Sequence, residues 1–195
     1  MSSGSVQQRV TVDIRWMIRR DIPEVLRIER ASFEYDWSEE DFLGCLRQRN
    51  CIGMVAERNG RVVGFMVYSL HRSRLLIRNF AVAPEFRHMG IGTQMVQRLI
   101  SKLSQQRRQE IGVELRESNL IGQLFFRQAG FHAVAVMRSY FDDSSEDAYV
   151  MHYRLDGQYG ALVTGRERLG QFVGHNEAAY SEDTTESEDY DVGQS

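Results

Sequence analysis

Residues 79–97, NFAVAPEFRHMGIGTQMVQ, leave few folds open. An apolar run that reads as a strand stops at Ala83-Pro84-Glu85. Arg87 follows, and Gly90 and Gly92 stand at the mouth of an amphipathic segment, 90–103. Its Ile91, Met95, Val96, Leu99, Ile100 and Leu103 form one helical stripe. A helix that starts there presents N–H groups without intrahelical acceptors, together with the positive end of its dipole. Glycines let a pyrophosphate come close to such a backbone. The main-chain amides of His88, Met89, Gly90, Ile91, Gly92 and Thr93 are therefore candidate ligands of a diphosphate, with no metal required. A dinucleotide fingerprint would need glycine where Met95 stands, and a P-loop would need a Lys between Gly92 and Thr93. A lone G-x-G more simply serves a tight turn. The full order of strand, Arg-x-x-Gly-x-Gly and helix favours phosphate.

Around this stretch the periodicity gives strands at 12–17, 52–57, 62–70, 75–82, 111–115, 131–140 and 148–155, and helices at 22–33, 38–48, 90–103 and 119–128. Asp21 with Pro23 suits the start of the first helix, and Ser38 with Asp41 suits a capping box on the second. Asn59-Gly60 is a hairpin turn, and Ala129-Gly130 stops the last helix. Hairpins first and strand–helix–strand units later predict an α/β domain, a mixed sheet flanked by four helices. Residues 1–11 are polar and expected to fray, 12–156 form the domain, and 157–195 an acidic, disordered tail. That tail holds eight acidic and two basic residues, so the overall charge of −3 hides a body of +3. A mildly basic body suits an anionic small ligand and is too weak for nucleic acid.

Cys45 and Cys51 lack companions for a zinc site or a disulfide framework and read as reduced thiols. The five histidines have no metal-binding spacing, so no metal is expected. No apolar run approaches the ~18 residues of a membrane span, and the N-terminus lacks a signal core. A cytoplasmic protein without membrane contact is the expectation.

Arg87-x-x-Gly90-x-Gly92, preceded by Phe80-Ala81-Val82, resembles the acetyl-CoA motif of the GNAT superfamily of N-acetyltransferases. The resemblance runs from 14 to about 155 and is greatest to the RimI-type ribosomal-protein alanine acetyltransferases. Further matches are Phe33…Trp37-Ser38-Glu39, with a short insertion and no Pro before the Trp, and Glu114-Leu115-Arg116-Glu117-Ser118-Asn119. Gly130-Phe131 and Glu146-Asp147-Ala148 complete the series. The family's fold is a central twisted, mostly antiparallel sheet of about seven strands. The resemblance implies acetyl-CoA as cosubstrate, main-chain contacts to its pantetheine from Phe80, Ala81 and Val82, diphosphate contacts from Arg87 to Thr93, and a polar contact from Asn119. It implies Glu114 as general base and Tyr140 on the substrate side. It also implies a protein N-terminus, such as that of a ribosomal protein, as acceptor. One departure stands out: where the family commonly has a Tyr that protonates the leaving thiolate, this chain has Phe126.

Read from the residues alone, several of these positions have plainer roles. Glu114 can pair with Arg116 or stay solvated, Asn119 can cap its helix, and Asp142 to Asp147 can be a solvated hairpin turn. The acceptor type has its own chemistry. An α-amine has a pKa of ~7.8 and a Lys side chain ~10.4, so at about pH 7.5 roughly a third of the former and ~0.1% of the latter is unprotonated. One carboxylate base therefore matches a protein N-terminus. A small-molecule amine as acceptor, or an acyl-CoA-binding regulatory module with little catalysis, are the alternatives.

Overall fold

Side-chain alternation along the central strands sorts the apolar residues onto two faces and gives each face a pair of helices. The computed structural model describes residues 10–164. Strands β1 (Asp13–Trp16), β2 (Cys51–Arg58), β3 (Arg61–Leu70), β4 (Arg74–Val82), β5 (Glu110–Arg116), β6 (His132–Met137), β7 (Ala148–Arg154) and β8 (Val163–Thr164) form one sheet. Their order is β1-β2-β3-β4-β5-β7-β6-β8. The β4–β5 and β6–β8 junctions are parallel and the others antiparallel. Helices α1 (Ile22–Arg30) and α2 (Glu39–Arg47) cover one face; α3 (Ile91–Ile100) and α4 (Leu120–Gln128) cover the other. On β3, Phe65 and Val67 bury against α1 and α2, whereas Met66 and Tyr68 join the core under α3 and α4. This is the two-residue period of a strand covered on both sides. The seven strands and four helices expected from the sequence are all present, in the expected order.

Helix starts follow local chemistry, with one correction. Ser38 accepts from the Asp41 N–H at 3.2 Å, and Asp41 accepts in return from the Ser38 N–H at 2.8 Å. Asp21 makes no cap bond to α1. Its carboxylate instead takes the Arg15 guanidinium at 2.7 and 2.9 Å and the Ile18 N–H at 2.8 Å, a charged partner outcompeting a helix amide. A second correction concerns the cysteines. Cys45 near the end of α2 and Cys51 at the start of β2 are joined as a disulfide, with Cα atoms 5.9 Å apart. The turn between α2 and β2 brings them together, a proximity that spacing alone did not disclose.

The frayed segment expected over 1–11 and the tail expected over 157–195 lie outside the described residues, apart from 10–11 and 157–164. Within those short pieces, the Val10 N–H donates to the Met89 carbonyl at 3.2 Å, and the Gln94 amide donates to the Val10 carbonyl at 2.7 Å. The two residues of β8 pair with β6.

The sheet opens in its middle. β4 and β5 pair only from Arg74↔Glu110 to Ile77↔Val113. On the β3 side, Val67 pairs with Asn79 and Tyr68 with Ile77, so Arg78 is an extra residue in β4. Such a bulge bends and twists its strand, and it sits where the two strands part. Beyond it, the main-chain groups that residues 79–82 turn away from β3 meet no ladder partner on β5.

Candidate active site

Two chemically unlike ends border this opening. The first is the turn into α3. Gly90 is the N-cap with φ 79°, and His88 also has a positive φ of 62°. Gly90 thus answers a backbone need, since a left-handed conformation is cheap for glycine alone. Gly92 answers a packing need. A Cβ there would lie 3.1 Å from the Phe125 ring and 3.3 Å from Phe80. The N–H groups of the first turn of α3 have no acceptor in the helix and form a concave donor set suited to an anion. Arg87 is placed differently from the expectation of a free phosphate ligand. Its Nε donates to the Val82 carbonyl at 3.0 Å and its Nη2 to Ser32 Oγ at 2.9 Å, so its side chain fastens the turn to β4 and to the loop that follows α1.

Between the ends lies an aromatic wall. Phe80 from β4 packs against Phe125 and Phe126 with ring centroids 5.6 and 5.9 Å away, while Ala81 points to the α1 face. Phe126 is 3% exposed and also meets Phe131 edge-on at 5.0 Å. It offers no proton. Asn119 is the N-cap of α4, its Oδ1 accepting from the Gly122 N–H at 2.9 Å. The plainer role is therefore present, and the side-chain Nδ2 lies beyond that cap bond.

The second end is acidic. Glu114 is half-buried on β5, past the point where β4 departs. Its partner is not Arg116. Tyr140 donates its hydroxyl to Glu114 Oε2 at 2.9 Å. Burial, then the charge of Glu114 and this bond, push the Tyr140 phenol well above its usual range, while the nearby Arg78 cation works the other way. Expected site residues from four separate elements, β4, the α3 turn, β5 and the loop before β7, thus converge on one opening.

Sequence reasoning missed three contributors. Glu29 of α1 is 1% exposed; its Oε1 accepts from the Trp37 N–H at 2.8 Å and from Asn79 Nδ2 at 2.9 Å, and its Oε2 has no hydrogen-bond partner. It pins the α1–α2 loop to β4 just beyond the bulge, and burial raises its pKa. Gln94 ties Val10 to the first turn of α3. Arg116 binds the 141–146 loop, whose Asp142, Asp143 and Ser145 stay exposed as a solvated turn would have them. The one available signal was that residues 114 and 116 share a face of their strand. Among the described residues no group of three or more His, Cys, Asp or Glu could hold a metal ion. None of their helices is long and apolar enough to cross a membrane. A groove of about 540 Å³, lined by Trp16, Leu46 and Cys51 among others, lies at the other end of the sheet and contains no expected site residue.

Known proteins resemble this chain in sequence and in fold. The acetyltransferase (GNAT) family matches residues 15–131. The ribosomal protein bS18-alanine N-acetyltransferase of Escherichia coli (strain K12) is 26% identical over 133 residues, 67% of this chain and 89% of its own length. The crystal structure of Ard1 from Thermoplasma volcanium is 31% identical, with a TM-score of 0.68 over 75% of this chain and 99% of that one. That of Arabidopsis thaliana NAA60 in complex with acetyl-CoA, 14% identical, shares the fold with a TM-score of 0.65 over 75% and 99%.

Proposed function

The chain belongs to the acetyltransferase (GNAT) family and its reaction is acetyl transfer; we propose that the donor is acetyl-CoA, the acceptor the N-terminal α-amine of a protein, and Glu114 the general base. The observation that carries this is the opening between β4 and β5, with the glycine turn of α3 at one end and the Glu114–Tyr140 pair at the other. In this proposal the amides from His88 to Thr93 hold the diphosphate, and the main chain of Phe80, Ala81 and Val82, laddered to β3 but not to β5, carries the pantetheine. The thioester then lies along the aromatic wall toward Glu114. Asn119, through its Nδ2, adds a polar contact, and Arg87 keeps the turn in place.

The amine must lose a proton before its lone pair can attack the thioester carbonyl. Glu114 takes that proton, directly or through one water. The C–N bond forms, the C–S bond breaks, and coenzyme A leaves as a thiolate. A thiol of ordinary pKa, ~8.5, is a tolerable leaving group, so water can protonate it in place of the hydroxyl that Phe126 lacks. The named relatives support a protein N-terminus as acceptor, and the α-amine arithmetic agrees. A ribosomal protein is the class proposed, in a cytoplasmic setting. The Cys45–Cys51 bond, of a kind uncommon in that compartment, is the one observation that weighs against that setting.

Acetyl-CoA consumption with a panel of N-terminal peptides and small amines tests the proposal. Peptide-dependent turnover is expected. Turnover on small amines alone would reassign the acceptor, and binding without turnover would make the chain an acyl-CoA-binding module.

A further inference from the structure

Residues 114 and 116 point from the same face of β5, and each grips a consecutive residue of the loop between β6 and β7. Glu114 holds Tyr140, and Arg116 stacks on Phe141 with its guanidinium 4.0 Å from the ring centroid. Arg116 Nη1 also donates to Asp143 at 2.8 Å, Ser144 at 2.7 Å and Glu146 at 3.1 Å. Its opposite contact is the Tyr35 ring, 4.5 Å away, in the loop between α1 and α2. The Arg116 side chain is 22% exposed, and its guanidinium meets two rings and two carboxylates. A planar five-donor fork that stacks on aromatic faces is the property that separates Arg from Lys. Both loops flank the Glu114 end of the opening; the α1–α2 loop meets the α3 side at a separate point, where Ser32 Oγ accepts from Arg87.

We propose that Arg116 is a positioning residue of the acceptor site: it clamps the 139–147 loop and Tyr35 against the end of β5 and thereby sets how tightly the amine substrate is held before Glu114. This rests on the acetyl-transfer proposal above. Arg116 touches no reacting atom; it acts through Tyr140 and Phe141 on the carboxylate and through Tyr35 on the opposite wall. The clamp grips the α1–α2 loop at Tyr35, while the donor-side contact of that loop is made by Ser32 with Arg87, so loosening the clamp is expected to leave that contact in place.

The test compares wild type, Arg116→Gln and Arg116→Lys. Two readouts are used: steady-state kinetics with acetyl-CoA and the best peptide, and amide hydrogen exchange of the full chain. The Gln variant is expected to raise the peptide KM at least tenfold with the acetyl-CoA KM within twofold, and to lose protection over 34–37 and 139–147 together. The Lys variant is expected to recover part of the loop protection through its charge but little of the peptide KM. Unchanged peptide KM, or equal rises in both KM values, would overturn the clamp. Should wild type bind acetyl-CoA but acetylate no peptide, the acceptor assignment fails on its own. Exchange then decides the clamp by itself: unchanged protection of the two loops in the Gln variant overturns it, and their joint loss supports it.

Discussion

Glu114 and Tyr140 share one hydrogen bond of 2.9 Å, and its loss has different consequences from each side. On the proposed mechanism, removing the carboxylate removes the base, so Glu114→Gln is expected to lower kcat by about 10²–10⁴ with acetyl-CoA affinity retained. Single-turnover rates alongside cofactor titration check this. Tyr140 has a phenol held above its usual range, by burial first and by the Glu114 charge second. A raised pKa keeps the O–H form to higher pH, so Tyr140 still donates to Glu114 where an ordinary tyrosine would begin to ionise. Tyr140→Phe is therefore expected to lower kcat/KM about tenfold, the worth of one bond to a charged group, and to leave the alkaline side of the pH profile up to pH 10 unchanged in shape. Phe126 presents the opposite case, a buried ring where a hydroxyl would serve. Phe126→Tyr should raise kcat if thiolate protonation limits the rate, and stopped-flow detection of released thiol would show it. The placement of Glu114 on a strand and of Gly90 and Asn119 at helix starts was legible because the patterns that give it are local. Arg116 was not legible as a clamp. Its partners lie about thirty residues away across a turn, and no sequence period encodes such a meeting.

At the level of elements, the start of α4 depends on a glycine that no motif explains. A Cβ on Gly122 would stand 2.8 Å from both the Nδ2 and the Oδ1 of Asn119, the side chain that caps the helix. Gly122→Ala is therefore expected to displace the cap and lower stability by about 1 kcal/mol, despite the better helix propensity of Ala. Denaturant unfolding would show the loss, and a gain in stability would contradict the assigned geometry. The strands and helices were readable because apolar residues recur with the period of each element. The extra residue at Arg78 and the parting of β4 from β5 were not, because register is set by cross-strand partners. The same reason hid the Cys45–Cys51 bond, which depends on how α2 turns back into β2.

Across the whole molecule, most shifted carboxylates, such as Asp21 beside Arg15, sit below their ordinary range and stabilise the fold above it, with that support lost in acid. Glu29 runs the other way. Desolvation raises its pKa above the ordinary 4.5. The native state then holds the proton more tightly than the unfolded chain, so its contribution is complete below 4.5 and declines as pH rises toward the native value. The stability of wild type relative to Glu29→Gln should therefore fall between pH 4.5 and neutrality, as urea unfolding across that range would show; a relative rise would reverse the sign. In the proposed function the domain, its two packed faces and its central opening serve one arrangement, a turn that offers amide hydrogens to a diphosphate at one end of the opening and a carboxylate at the other. Amide hydrogen exchange of residues 88–93 during titration with acetyl-CoA addresses that arrangement directly. Saturable protection of those amides, with heat released on binding, is the predicted result. Neither heat nor any protection of the turn at saturating acetyl-CoA would contradict it.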